Sequence, residues 1–330
     1  MRVRGAGAGL VVVAAAWALA SAPACGPSPG RSGEGFDAGG GSGGSGSGGS
    51  GGNGSGGSGS SSGFGNFGDG GGGEGGGSSG GGPGCSKAAE YVYVIDVNGT
   101  MYQFNPPTLA FTQVGQVTCA SSQFFSMAVD RNAVAWVLAQ DGSIVRYDIN
   151  AKSCTPTTYG KNQHNFLTFG MGFSTDAAGS SNETLFVSDS ELLTQSSGGL
   201  AKIDTSALML TPIGAYNQGF NGRRAEMTGT GDGRLFAAFE GTPYVVAEID
   251  KTNANIKSQA PQTPINYPPD SSNFAFAFWG GDFWLFVGPG ATTDVFQYQP
   301  SNGMTTKRET ESFEIVGAGV STCAPTTPPQ

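Results

Sequence analysis

The chain has 330 residues, 58 of them glycine, and a formal net charge of −9 with only 12% charged residues. Lys and Arg are few and dispersed, which excludes a phosphate-tracking surface, so nucleic acid is not an expected partner. A single histidine, His164, rules out a His-rich metal centre, and the five cysteines lack any CxxC spacing, so neither a metal nor a cofactor is expected.

Residues 1–24 have the form of a signal peptide: Arg2 and Arg4, an apolar run from about Leu10 to Ala20, then small residues. Pro and Gly follow too soon for a membrane-spanning helix. Ala22-Pro-Ala-Cys25 resembles a bacterial lipobox, which implies a lipid on Cys25 and the lipid bilayer as a partner. It departs from the usual pattern at Ala22, where Leu is common, and at Pro23. Ordinary cleavage after Ala24 is the alternative, giving a soluble secreted protein. Setting Cys25 aside leaves an even four cysteines in an oxidising compartment, which favours the lipid. Residues 25–84 are Gly and Ser with almost nothing apolar, so they cannot bury enough surface to offset their ordering entropy. They read as a disordered linker with an r.m.s. reach of about 40 Å.

From residue 85 to 324 a unit of short strands recurs. A small-residue-rich strand runs into an apolar one at Phe125–Asp130 and Ala133–Leu138, Gly170–Asp176 and Glu183–Ser188, Glu226–Asp232 and Gly233–Phe239, and Phe276–Asp282 and Phe283–Val287. A fifth pair is split between Tyr91–Asp96 at the start and Ile315–Thr322 at the end. A third strand follows each pair, with Phe104, Tyr147, Ile203, Ile249 and Tyr298 as equivalent anchors about 43 to 56 residues apart. Period-two alternation marks each segment as strand, and a weaker fourth strand completes the unit. The prediction is an all-β, five-bladed β-propeller, closed by pairing the C-terminal strand with the N-terminal blade so that no blade edge stays open. Small residues on the innermost strands let the blades converge at the axis. Residues 325–330 are expected to be a disordered tail.

Four cysteines allow three pairings. The predicted one joins Cys85, before the first strand, to Cys323, after the last, and Cys119 to Cys154 between neighbouring outer strands.

Signals of catalysis are sparse. His164 lies in a loop, and no nucleophile elbow occurs in the folded part. Some five-bladed propellers are glycosidases with acids around the axis, and Glu226 occupies an inner-strand position where other units carry Ser126, Gly170, Phe276 and Gly317. It is the one weak catalytic candidate, against a structural reading in which it accepts hydrogen bonds from backbone, Arg223 or Arg224. Asp130, Asp176, Asp232 and Asp282 read as turn formers, as do Asp148, Asp204 and Asp250. Trp136, Phe278, Trp279 and Trp284 would stack on sugars if exposed, but at strand period they read as core. Loops 176–183 and 260–269 are the expected carriers of recognition.

Ser126-Met-Ala-Val-Asp-Arg131, Phe169-Gly-Met-Gly-Phe173, Thr228-Gly-Thr-Gly-Asp-Gly-Arg-Leu235 and Phe276-Ala-Phe-Trp-Gly-Gly-Asp282 resemble the inner strands of uncharacterised, Gly-linker-tethered β-propeller lipoproteins of Gram-negative bacteria. The resemblance covers most of residues 88–323 and implies no activity. The chain is therefore expected to be an exported, membrane-anchored lipoprotein of the cell envelope, on the outer membrane or cell surface. Its propeller is expected to be a monomeric, non-catalytic module binding an unknown envelope protein or glycan. A glycan-processing hydrolase using central carboxylates is the alternative.

Overall fold

The structure, a computed structural model, describes residues 84–190, 198–268 and 273–328. The signal peptide, Cys25 and the glycine-rich segment as far as residue 83 lie outside the described residues. Among the described residues, twenty strands form five antiparallel four-stranded sheets. Blade 1 contains β1 (Val92–Asp96), β2 (Thr100–Asn105) and β3 (Ala110–Gln116), and its innermost strand is the C-terminal β20 (Ile315–Val320). Blade 2 holds β4 (Phe124–Val129), β5 (Val134–Ala139), β6 (Ile144–Asp148) and β7 (Ser153–Pro156). Blade 3 holds β8 (Phe169–Thr175), β9 (Glu183–Asp189), β10 (Leu200–Asp204) and β11 (Met209–Gly214). Blade 4 holds β12 (Ala225–Gly229), β13 (Leu235–Phe239), β14 (Tyr244–Ile249) and β15 (Ile256–Gln262). Blade 5 holds β16 (Asn273–Trp279), β17 (Asp282–Gly288), β18 (Thr293–Gln299) and β19 (Met304–Glu311).

The innermost strands touch in the cycle β20, β4, β8, β12, β16 and back to β20, so the five blades form a closed β-propeller. Closure follows from the register of β20 on β1, where Val92 faces Val320 and Ile95 faces Gly317. The predicted strands are recovered with ends displaced by one to a few residues. The largest displacement is in blade 5, where the expected strand Phe276–Asp282 is instead β16, Asn273–Trp279. Gly280 and Gly281, at φ 66° and 86°, make a two-residue turn there, so Asp282 opens β17. Adjacent positive-φ residues give the turn a twist that matches its hairpin, and glycine adopts them without a Cβ clash.

Strand alternation decides which blade each side chain meets. In blade 5, Phe274, Phe276, Phe278, Phe283 and Leu285 face blade 4, packing on Phe236 and Tyr244. The opposite set, Ala275, Ala277, Trp284 and Phe286, packs on Val92, Val94 and Phe104 of blade 1. Three further clusters fill the remaining junctions, for example Tyr93 and Met127 between blades 1 and 2, Trp136 and Phe173 between 2 and 3, and Phe186 and Met227 between 3 and 4. Each fully buried Phe, Leu or Val contributes about 1.5–3 kcal/mol, so the junctions carry the stability. The outermost strands are largely exposed, as in β19. Convergence at the axis depends on small residues: a Cβ on Gly170 would collide with the Ala225 carbonyl of the next blade.

Cys85 is bonded to Cys323 with Cα atoms 5.9 Å apart, and Cys119 to Cys154 with Cα atoms 5.7 Å apart. The first spans 238 residues and ties the strand that closes the ring to the segment that opens it; the second spans 35. In the chain-entropy model these closures contribute about 5 and about 4 kcal/mol. Replacing Cys85 and Cys323 with serine is therefore expected to cost slightly more than replacing Cys119 and Cys154, as read from denaturant midpoints. The reverse order would contradict the closure argument.

Residues 325–328 of the expected tail lie against the β16–β17 turn, where the Gly280 N–H donates to the Pro325 carbonyl at 2.8 Å.

Candidate functional site

Glu226 lies on β12 at the centre of the ring and is 2% exposed. Ser126 Oγ of β4 donates to Glu226 Oε2 at 2.7 Å and accepts from the Met171 N–H of β8 at 3.2 Å. Blades 2 and 4 are not neighbours, so this bond passes over blade 3. It can do so because Gly170 has no side chain; a Cβ there would lie 2.8 Å from Glu226 Cα. Beside it, Thr228 Oγ1 accepts from the Phe278 N–H at 3.1 Å. The axis is thus closed at this level by groups that satisfy one another. Burial pushes the Glu226 carboxyl well above its ordinary range, opposed by the Ser126 hydrogen bond and the Arg224 charge.

The arginines expected to hold Glu226 by hydrogen bonding are engaged elsewhere. Arg223 donates to the Glu240 carbonyl at 2.9 and 2.7 Å. The Arg224 guanidinium lies 5.4 Å from the Phe125 ring and 5.1 Å from the Phe274 ring, with Nη1 3.5 Å from Glu240 Oε2.

Beyond the C-terminal ends of the inner strands, Glu183 joins three blades. It accepts from the Arg131 N–H at 2.8 Å and from Thr322 Oγ1 at 2.8 Å. Arg131 in turn donates to Thr322 Oγ1 at 3.0 Å and reaches Cys85 Sγ at 3.3 Å, tying this network to the disulfide that closes the ring. Burial pushes the Glu183 carboxyl up to about 7.

Most of the aspartates behave as turn formers. Asp130, Asp148, Asp204 and Asp250 each accept backbone N–H groups two to four residues ahead. Asp176 accepts from Thr184 Oγ1 at 2.7 Å, and Asp232 from the Thr230 hydroxyl. Asp282 differs: it starts a strand and belongs to a cavity.

That cavity, about 300 Å³, lies between blades 5 and 1 and is lined by Trp279, Asp282, Trp284, Gln297 and Arg308, with Pro106 and Pro107 of the β2–β3 turn and Pro328 at its border. Register explains the gathering. Trp279 faces Asp282 across the Gly-Gly turn, Trp284 is two residues beyond Asp282 on the same face, and Trp284 faces Gln297. Thr306 faces Gln297, so strand alternation puts Arg308, two residues on, on the same side, where a β-bulge at Val295/Phe296 leaves it without a direct cross-strand partner. The Gln297 amide links the polar members, donating to Asp282 Oδ2 at 2.5 Å and accepting from Arg308 Nη1. Burial raises the Asp282 pKa, while the amides of Gln297 and Gln299 and the Arg308 charge oppose that shift.

The four aromatics singled out in the sequence divide. Trp136 and Phe278 are core, 3% and 2% exposed, with Trp136 Nε1 donating to Asp130 Oδ2 at 3.3 Å. Trp279 is half-buried, and its Nε1 donates to the Glu90 carbonyl at 2.9 Å, which sets the ring's orientation. Trp284 is 2% exposed and packs edge-on against Phe104 at 5.1 Å, yet its Nε1–H has no hydrogen-bond partner among the described residues. An unmet buried donor costs about 1–3 kcal/mol. Sequence reasoning missed Asp282, Gln297 and Arg308 as site residues; the Trp-Gly-Gly-Asp hairpin was the legible signal for the first.

His164 is exposed and borders a separate cavity of about 350 Å³ with Phe166, Leu200 and Pro212. Loop 176–183 is mostly exposed. In the Pro-rich segment Tyr267 Oη donates to Asp294 Oδ2 at 2.5 Å, and residue 269 lies outside the described residues. Among the described residues no group of three or more His, Cys, Asp or Glu could hold a metal, and no helix is long and apolar enough to cross a membrane.

The chain matches no family model and no curated protein. Among solved structures it is similar to the Dos1 propeller, with TM-score 0.38 and 11% identity over 68% of this chain and 57% of that one. It is also similar to a chain of the mitotic checkpoint complex (TM-score 0.36, 15% identity, 70% of this chain and 66% of that one). A third is U3-55K (TM-score 0.37, 10% identity, 72% and 69%). The chain thus spans less than two thirds of the first two structures' lengths. None of these likenesses bears on ligand or activity.

Proposed function

We propose that this protein is an exported lipoprotein, anchored in the cell envelope through Cys25 and a glycine-rich tether, whose propeller is a non-catalytic recognition module for an envelope protein or glycan. The observation that carries this reading is the recessed cavity between blades 5 and 1, where two tryptophans meet a fixed carboxylate, amide and guanidinium. Pockets that combine apolar walls with a few convergent polar groups bind ligands. The axis supports the non-catalytic reading, because Glu226 is enclosed and hydrogen-bonded to Ser126. A glycosidase needs two carboxyls flanking a bond that substrate can reach. The two disulfides suit an oxidising compartment outside the cytoplasm.

The test has two arms. Labelled palmitate is expected to enter the full-length chain and not its Cys25→Ala variant. The full-length chain is expected to retain protein or polysaccharide from solubilised envelope, and Arg308→Ala is expected to weaken that retention. Hydrolysis of envelope glycan by the protein, or retention indifferent to Arg308, would overturn the reading.

A further inference from the structure

We infer that the cavity between blades 5 and 1 binds one or two units of a neutral saccharide, stacked on Trp279 and hydrogen-bonded to Asp282 and Arg308. This deepens the recognition reading and rests on it. Three observations converge on that ligand class.

The Trp279 ring is half-buried and fixed by its bond to the Glu90 carbonyl, so a flat apolar surface is presented without an ordering cost on binding. A pyranose offers a matching face of C–H groups and an edge of hydroxyls. The polar side of the cavity carries both kinds of partner those hydroxyls require. Asp282 has about four acceptor sites, and the Gln297 and Gln299 amides engage part of that capacity. Arg308 is exposed and has five N–H donors, one of them directed to Gln297. The Gln297 amide holds carboxylate and guanidinium apart in a set order, acceptor towards Trp279 and donor towards the outer strand.

The Trp284 ring forms an apolar part of the cavity wall, packed edge-on against Phe104 behind it. The third observation is size and charge. A cavity of about 300 Å³ is at the small end for ligand pockets. Its lining carries one carboxylate, Asp282, and one guanidinium, Arg308, and so no net formal charge, which favours neutral ligands.

The experiment is titration of the full-length chain with maltotriose, cellotriose, chitotriose and trigalacturonate, followed by tryptophan fluorescence and calorimetry. At least one neutral trisaccharide is expected to bind with a fluorescence change. Trp279→Ala is expected to weaken it about tenfold or more and Arg308→Ala severalfold, while His164→Ala, at a different cavity, leaves it unchanged. The thermal midpoint of each variant separates lost binding from lost fold. Preference for trigalacturonate, or neutral binding untouched by Trp279→Ala and Arg308→Ala, would overturn the inference. Failure of every trisaccharide, with envelope protein still retained through Arg308, would sink the saccharide and leave the recognition module standing. Failure of both would sink both.

Discussion

Truncation after Glu314 is expected to abolish cooperative unfolding, although it removes only the last sixteen of 330 residues. Those residues include β20, the innermost strand of blade 1, whose six residues are all buried. Without it β1 becomes an open edge at the ring's centre, with its backbone partners lost. Ile315, Ala318 and Val320 also leave the junction of blades 5 and 1, Val316 leaves that of blades 1 and 2, and Cys323 takes its disulfide with it. At about 1.5–3 kcal/mol for each large apolar side chain, plus about 5 for the disulfide, the loss reaches the whole 5–15 kcal/mol of a typical domain. Circular dichroism during heating is the measurement. A truncated chain that melts in one sharp transition within a few degrees of the parent would refute the closure.

The second large effect concerns pH. Glu183 and Glu226 have folded-state pKa values raised by burial, Glu183 to about 7 and Glu226 well above its ordinary range. Between the unfolded and folded values the folded chain holds the extra proton, so stability falls as pH rises, by about 1.4 kcal/mol per unit for each group. The Glu183 contribution is complete below about pH 4.5 and is lost by about pH 7; the Glu226 loss continues higher. Glu248 and Asp294 have lowered pKa values, from their Arg and Lys partners, and act oppositely in acid, so the window to examine is above pH 5.

Glu226→Gln keeps an acceptor for Ser126 and removes the titration. It is expected to match the parent near pH 5 and to exceed it at pH 8. Glu226→Ala instead leaves a void and an unmatched Ser126 hydroxyl, and is expected to cost about 2–4 kcal/mol at either pH. Glu183→Gln should remove only the part of the slope that ends near pH 7. Denaturant unfolding at pH 5 to 9 separates the three variants. A parent protein whose stability rises with pH across that window would show that these carboxyls are ionised in the fold.

Much of the architecture was legible along the chain. Alternation with a repeat of about 43 to 56 residues marks strands and blades, because a blade is a local unit whose hairpins join neighbours in sequence. Even the ring closure could be read, since the half-unit at Tyr91–Asp96 lacked an inner strand and Ile315–Thr322 lacked a blade. The recurring Asp148, Asp204 and Asp250 declared themselves as turns because their partners lie within a few residues.

The site residues were decided by contacts between segments far apart. Ser126 and Glu226 are a hundred positions apart and meet only because Gly170 leaves room between them. Trp279 and Trp284 carry the same strand pattern as the core aromatics, and period two tells which face a side chain takes without telling what the next blade places opposite. There the β2–β3 turn supplies Pro106 and Pro107, which leave a cavity instead of filling it. Arg308 reaches that cavity because Thr306, two residues before it, faces Gln297, a register that exists only once β18 and β19 pair. Local hydrogen bonding and periodicity are written into neighbouring residues; cavities and long-range polar pairs come into being where blades meet, and only the folded ring determines those meetings.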